Sequence, residues 1–157
     1  MNEQELSHVV KAMLEELKET KMTLERANHL IEKVKDKATQ MGVKAVVAVA
    51  NQAGRPVAVQ SMDDAYIASF DVAINKSFTS ASLKMSTAEL SNLCQPGQPL
   101  YGIQYTNDGK LVIFGGGEVL EVNGKIIGAL GVSGGTLEQD IKLAAYGKEI
   151  FEEFFRR

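Results

Sequence analysis

The amino-terminal part of the chain repeats apolar residues with helical periodicity in two successive stretches. In the first stretch, six apolar residues recur every three or four positions: Leu6, Val9, Val10, Met13, Leu14 and Leu17. The second stretch starts at a capping residue, Thr23, and ends near Gly42. One of its faces carries Ala27, Leu30, Ile31, Val34, Ala38 and Met41. Both patterns predict amphipathic helices.

The next apolar stretches change to the pattern of strands and then return to helix. "VKAVVAVA" (43–50) is continuously apolar and rich in β-branched residues, which predicts a strand covered on both faces. The turn sequence "NQAGRP" and then "VAVQS" predict a hairpin. Apolar spacing predicts a helix from Tyr66 to Leu83, and "STAE" (86–89) has the form of a capping box before a short helix.

The carboxy-terminal half, after "QPGQP", reads as a meander followed by one helix. We predict strands at "LYGIQYT", "LVIFG" and "EVLEV", then a longer strand, "IIGALGV", after the hairpin sequence "NGK". A last helix is predicted from Leu137 to Phe155. Hairpins in place of alternating β and α units indicate an α+β domain with a central antiparallel sheet of about five strands. The length favours a single domain over residues 1–157.

Composition narrows the functional classes. The chain has 17 basic and 20 acidic residues, so a nucleic-acid surface is not expected. Cys94 is the only cysteine, which excludes an intrachain disulfide. No apolar run approaches the ~18 residues of a membrane span, and the acidic amino terminus does not resemble a secretion signal. We therefore expect a cytoplasmic protein without membrane or nucleic-acid partners.

The glycine-rich turn "GVSGGT" (131–136) raises the possibility of a phosphate site. It lacks the Lys and Ser/Thr that follow a P-loop, and its glycines do not have the dinucleotide-binding spacing. Thr136 and Gln139 have capping-box spacing, so a strand-to-helix turn is favoured over a phosphate cradle. Gly128 and Gly131, three apart in the preceding strand, point to opposite faces and allow close approach there.

The two histidines, His8 and His29, both fall on the outer side of their predicted helices. His29 lies roughly 150° from the centre of its apolar stripe. Each is therefore either a solvated surface residue or a ligand to a metal or to haem iron. No H-E-x-x-H or G-x-S-x-G motif is present, so no catalytic residues are assigned.

Two long stretches together resemble a known family. The first is "VAVANQAGRPVAVQSMDDAYIASFDVAINKSFTSA", a hairpin followed by M-D-x-A and a helix carrying a lysine. The second is "VIFGGGEVLEVNGKIIGALGVSGGTLEQDIKLAAYG", with a glycine loop, a hairpin and G-A-x-G-V-S-G-G. They are similar to the GlcG/HbpS-like haem-binding family, which includes the C-terminal domain of PduO. The resemblance covers about residues 23–152, so we expect residues 23–157 to form the core shared with the family. Residues 1–22 are interpreted as an added amino-terminal helix.

The resemblance implies a profilin-like α/β/α layered domain that self-associates, with haem bound by some members. Haem ligation varies within the family, so the resemblance does not select a ligand, and helix geometry makes His29 the better of the two histidines as axial ligand to iron. Lys76, which matches the family helix, either pairs with a carboxylate such as a haem propionate or forms a structural ion pair. The positions expected to allow close approach of a ligand are Gly116, Gly117, Gly134, Gly135 and Thr136. Glu118 stands where the family often has proline, which places a carboxylate near the presumed ligand surface.

Three functions remain open from the sequence. The leading one is a homo-oligomeric binding protein for haem or a related tetrapyrrole. The second follows from family members in operons for glycolate, glycerol or propanediol metabolism: an accessory protein or enzyme. Its small oxygenated metabolite would bind at the glycine loop and the helix start at Thr136. The third is a purely structural assembly factor.

Overall fold

The computed structural model describes residues 1–156, apart from the side chains at positions 18, 19 and 156. Its elements, in chain order, are α1 (Glu3–Glu19), α2 (Leu24–Gln40), β1 (Val46–Asn51), β2 (Pro56–Ser61), α3 (Ile67–Leu83), α4 (Thr87–Leu93), β3 (Gly117–Val122), β4 (Lys125–Ser133) and α5 (Leu137–Arg156). Two short 3₁₀ turns, Ile103–Tyr105 and Asn107–Gly109, lie between α4 and β3. Within residues 1–156, no helix is long and apolar enough to cross a membrane.

The strands form one antiparallel sheet in the order β2-β1-β4-β3. The two hairpins, β1–β2 and β3–β4, are joined through the central pair β1–β4. In that pair Val46 lies opposite Ser133 and Asn51 opposite Gly128. The mixed α/β character and the antiparallel sheet agree with the sequence prediction. The sheet over the described residues has four strands, however, and not about five.

The prediction fails at "LYGIQYT" and "LVIFG", neither of which is a strand. In the first segment, left-handed backbone at Gly102 breaks the extended conformation, and Ile103–Tyr105 form a 3₁₀ turn. The left-handed residues Asn107, Asp108 and Gly109 form the second turn directly after it. The second segment passes over α3 as a loop. Leu111 is buried there, and the Val112 N–H donates to Thr79 Oγ1 at 2.9 Å. Its apolar residues anchor a loop, and they do not form a sheet face.

Helices α2 and α5 pack on each other and on one face of the sheet. This face holds the main core, which joins α2 and α5 to inward residues of β1, β3 and β4. Helix α3 lies on the opposite face, where a smaller cluster forms around Val46, Ala48 and Ala73. Gly131 of β4 faces α3, and a side chain there would collide with the Ala73 carbonyl. Gly128 faces the other way, towards Met22.

Local side-chain caps fix where several helices start. Thr23 Oγ1 accepts the Arg26 N–H at 3.1 Å ahead of α2, and Ser86 Oγ accepts the Glu89 N–H at 3.1 Å ahead of α4. Before α5 the predicted capping box is complete. Thr136 Oγ1 accepts the Gln139 N–H, and the Gln139 side chain accepts the Thr136 N–H.

Candidate functional site

The groove around His29 lies between the start of α2 and the end of α5 and encloses about 850 Å³. The helical periodicity of α2 directs Leu30 into the core and leaves the neighbouring His29 exposed at the groove. The imidazole centre lies 6.0 Å from the ring centre of Phe154, with the two ring planes inclined by 47°. The groove is lined by Thr23, Glu25, Arg26, His29, Leu30, Lys33, Ile150, Phe151, Glu153, Phe154 and Phe155.

Aromatic side chains form much of the groove wall. Phe155 packs against Phe151 and Phe154, with ring centres 5.0 and 5.4 Å away. The Arg26 guanidinium lies 4.7 Å from the ring centre of Phe155. The exposed cation Lys33 stands one helical turn beyond His29. An imidazole, flat apolar surfaces and cations at the rim suit a planar apolar ligand that carries a metal and peripheral carboxylates.

The second chemically notable region is a buried ion pair that joins α3 to the start of α5. Lys76, on α3, is fully buried, and its Nζ donates to the Val132 carbonyl at 2.7 Å and to Asp140 Oδ2 at 3.2 Å. The ring centre of Phe114 lies 5.0 Å from the same nitrogen. Burial lowers the pKa of Lys76, and the attraction of Asp140 opposes that shift.

The "GGG" loop closes over this lysine. A Cβ at Gly116 would lie 2.5 Å from Lys76 Nζ and 2.7 Å from the Val132 carbonyl oxygen. Gly116 also has a φ of 119°, and the Gly117 N–H donates to Thr87 Oγ1 at 2.8 Å. The lack of side chains at these glycines therefore lets the loop seal Lys76 from solvent.

The turn at 134–136 uses its amides internally. Gly134, at φ 148°, lies against the backbone of Lys44 and Ala45. The Gly135 N–H donates to Asp140 Oδ1 at 2.8 Å, and the Thr136 N–H donates to the Gln139 side chain. Both amides already have partners in the chain, which favours the predicted turn over an anion cradle.

The structure thus divides the predicted site residues into two groups. Lys76, Gly116 and Gly135 meet around Asp140, with Gly117 and the turn residues Gly134 and Thr136 close by in sequence. His29 lies towards the other end of α5, and none of these residues lines its groove. Of the two roles left open for Lys76, the geometry is that of a structural ion pair.

Two residue sets were missed by sequence reasoning. Asp140 had a signal, since it belongs to the second quoted stretch that carries the family resemblance. The phenylalanines at the end of α5 had none, because only tertiary packing places them beside His29.

Glu118 lies outside the groove, on β3 near Lys148 and Glu152 of α5. Burial raises its pKa, Lys148 lowers it, and Glu89 and Glu152 raise it further.

Within residues 1–156, no group of three or more His, Cys, Asp or Glu side chains could hold a metal ion.

Comparison with known families agrees with this architecture. Residues 22–149 match the model of a family described as haem degrading protein, HbpS-like. The chain belongs to the HbpS-like family. The matched region contains the α2 side of the His29 groove, the buried ion pair and the glycine loops. Helix α1 precedes it, and the α5 residues that line the groove, from Ile150 onwards, follow it.

Individual relatives extend the match. An uncharacterized 15.0 kDa protein in the dhaT-dhaS intergenic region of Citrobacter freundii is 43% identical over 84% of this chain and 93% of its own length. The corrinoid adenosyltransferase PduO of Salmonella typhimurium is 40% identical over 69% of this chain, which corresponds to only 32% of PduO. A crystal structure of a PduOC:haem complex superposes with a TM-score of 0.79 at 35% identity, covering 82% of this chain and 94% of that chain.

Proposed function

We propose that this protein binds haem or a related tetrapyrrole in the groove between α2 and α5, with His29 as the axial ligand to iron. The observation that carries the proposal is the exposed imidazole inside an aromatic groove of about 850 Å³. That volume lies in the range of sites for small molecules and cofactors. The PduOC:haem complex, as a relative at 35% identity, supports the ligand class.

The groove residues supply three separate contributions. His29 offers a ring nitrogen to iron, and Phe154, which is 63% exposed, presents a ring face to the macrocycle. Lys33, and Arg26 at the rim, supply positive charge for the propionates. Lys76 has no part in this proposed site, because it is fully buried and does not line the groove.

We further propose that the protein is a cytoplasmic homo-oligomer with profilin-like layering. Self-association is supported by large apolar side chains that remain on the surface. On α3 these are Tyr66, Ile67 and Phe70, exposed by 74%, 96% and 46%. Helices on both faces of the antiparallel sheet support the layering. A metabolite site at the Thr136 turn is not favoured, because its amides are bonded within the chain.

Haemin titration of the purified protein tests the site. We expect a saturable Soret shift with one haemin per chain. It should be lost in His29→Ala and kept in the control His8→Ala, which removes the other histidine from outside the groove. Phe154→Ala should weaken binding by roughly threefold to tenfold, the loss of one aromatic contact. A Soret shift of wild-type strength in His29→Ala would remove the axial assignment, and no saturable shift in any sample would remove the haem proposal.

The family description as haem degrading makes turnover a second candidate. Loss of the Soret band when the loaded wild type is incubated with ascorbate, compared with free haemin, tests it. Faster loss on the protein would add degradation to binding. A stable band would leave binding alone.

A further inference from the structure

The apolar stripe of α1 is unusually exposed for a surface helix. All six of its large apolar residues are between 44% and 64% accessible: Leu6, Val9, Val10, Met13, Leu14 and Leu17. In an amphipathic helix packed on its own domain, these would be the buried positions. The stripe therefore lacks the cover that its pattern requires.

The chain's own core does not supply that cover. An ion pair joins Glu16 of α1 to Lys125 at 3.9 Å, with both side chains largely exposed. Such a pair contributes little stability. A 17-residue helix without tertiary packing is marginal in water, so α1 needs a partner surface to be well formed. It also precedes the region shared with the family, so the partner need not be a feature of the common core.

The spacing of the stripe matches a helix–helix seam. Leu6, Val10, Met13 and Leu17 follow intervals of four, three and four residues, which is the heptad repeat of paired helices. Val9 and Leu14 flank this seam, and the six positions are symmetric about the midpoint between residues 11 and 12. When a second copy of the same helix packs against this one, parallel or antiparallel, apolar residues therefore contact apolar residues.

The exposed area is also sufficient for self-pairing. Six side chains exposed to this degree present on the order of 600 Å², at the upper end for the largest apolar patch of a monomer. Two such stripes face to face would bury about 1,200 Å², which reaches the lower end of stable protein interfaces. Around the helix axis, no charged residue from position 6 to position 17 lies within the arc that the six apolar side chains occupy.

We propose that α1 is a self-association helix that pairs with α1 of a second copy of this chain. The proposal deepens the homo-oligomeric part of the proposed function and rests on it, but it does not depend on haem. Since no α1 side chain at positions 3–17 lines the His29 groove, pairing and the proposed haem binding use separate surfaces. The helix adds a contact between copies beyond any formed by the shared core.

The test measures the mass of the full-length chain by sedimentation velocity and light scattering. Val10→Asp combined with Met13→Asp places charges at the centre of the seam, and we expect the number of chains per particle to fall at least twofold. Ala12→Asp is the matched control. It introduces the same poor helix former into the same helix but outside the stripe, and it should leave the mass unchanged.

Two results would overturn the pairing: equal mass in wild type and double variant, or a monomeric wild type at tens of micromolar. In the second case, co-sedimentation of the wild type with anionic vesicles would identify a lipid surface as the occupant. Circular dichroism and the haemin titration on the same samples show that the variants remain folded. They also report separately on His29, so failure of the haem site is distinguishable from failure of the helix pairing.

Discussion

At the scale of single residues, Lys76 has the most demanding environment in the molecule. An ammonium group taken fully out of water is costly unless its donors are satisfied. Here two acceptors and an aromatic face surround it, and the Asp140 partner is in turn held by the Gly135 amide. One ion pair thus links α3, β4 and α5 at the point where the glycine loop covers them.

We expect Lys76→Met to lower the free energy of unfolding by about 3–5 kcal/mol, because it leaves the Asp140 carboxylate buried without its cation. Adding Asp140→Asn removes that charge and keeps an acceptor for Gly135. The double variant should therefore lose less than the sum of the two single variants. Urea unfolding of all four proteins measures the coupling, and additive losses would mean that the two residues act independently.

Glu118 provides a pH-dependent prediction. Because its pKa is raised in the folded state, chiefly by burial, the folded chain holds this proton to higher pH than the unfolded chain does. Stability contributed by Glu118 is then lost as pH rises from about 4.3 through the raised pKa. We expect Glu118→Gln to match wild type near pH 4 and to exceed it at pH 7, by less than about 1 kcal/mol.

Urea unfolding at both pH values measures this difference. Glu121→Gln is the control, since it removes the same charge from the same strand at a position that alternates onto the other face. A gain for Glu118→Gln that does not change between the two pH values would contradict the prediction.

At the scale of elements, the contact between α3 and β4 is the closest helix–sheet approach described above. Gly131 lies directly beneath the Ala73 carbonyl, and a Cβ there would also come within 2.8 Å of the Ser77 amide nitrogen. Backbone packs on backbone at this point, so no side chain is available to move aside.

Gly131→Ala should therefore destabilise the fold by about 2–3 kcal/mol through overpacking. In a domain of this size such a loss lowers the thermal midpoint by roughly 4–12 °C. Differential scanning calorimetry measures it, and a midpoint within a degree of wild type would show that α3 can shift at little cost.

Elements with strong local signals could be predicted from the sequence. Helix α2 begins where Thr23 caps it, and α5 begins at the capping box of Thr136. The error over "LYGIQYT" and "LVIFG" has a physical cause. A loop that buries isolated residues such as Leu111 has the same short-range apolar spacing as a strand, and only the missing pairing partner tells them apart.

At the scale of the whole molecule, the site was harder to predict than the elements. The outward position of His29 followed from helix geometry alone. Its groove did not, because the phenylalanines at the end of α5 lie more than 120 residues away in sequence and reach it only through α2–α5 packing. The glycine motifs were prominent in the sequence. The reason that glycine is needed there is close packing around Lys76 and against α3, and only the structure shows that packing.

The His29 groove shares no residue with the buried ion pair, and this has a consequence for protein engineering. Groove residues such as Lys33 and Phe154 are exposed, so they can be exchanged without opening the core or disturbing the packing of α3. With the proposed haem site as the starting point, the groove is therefore the part of this scaffold to redesign for a synthetic metalloporphyrin of different size or charge.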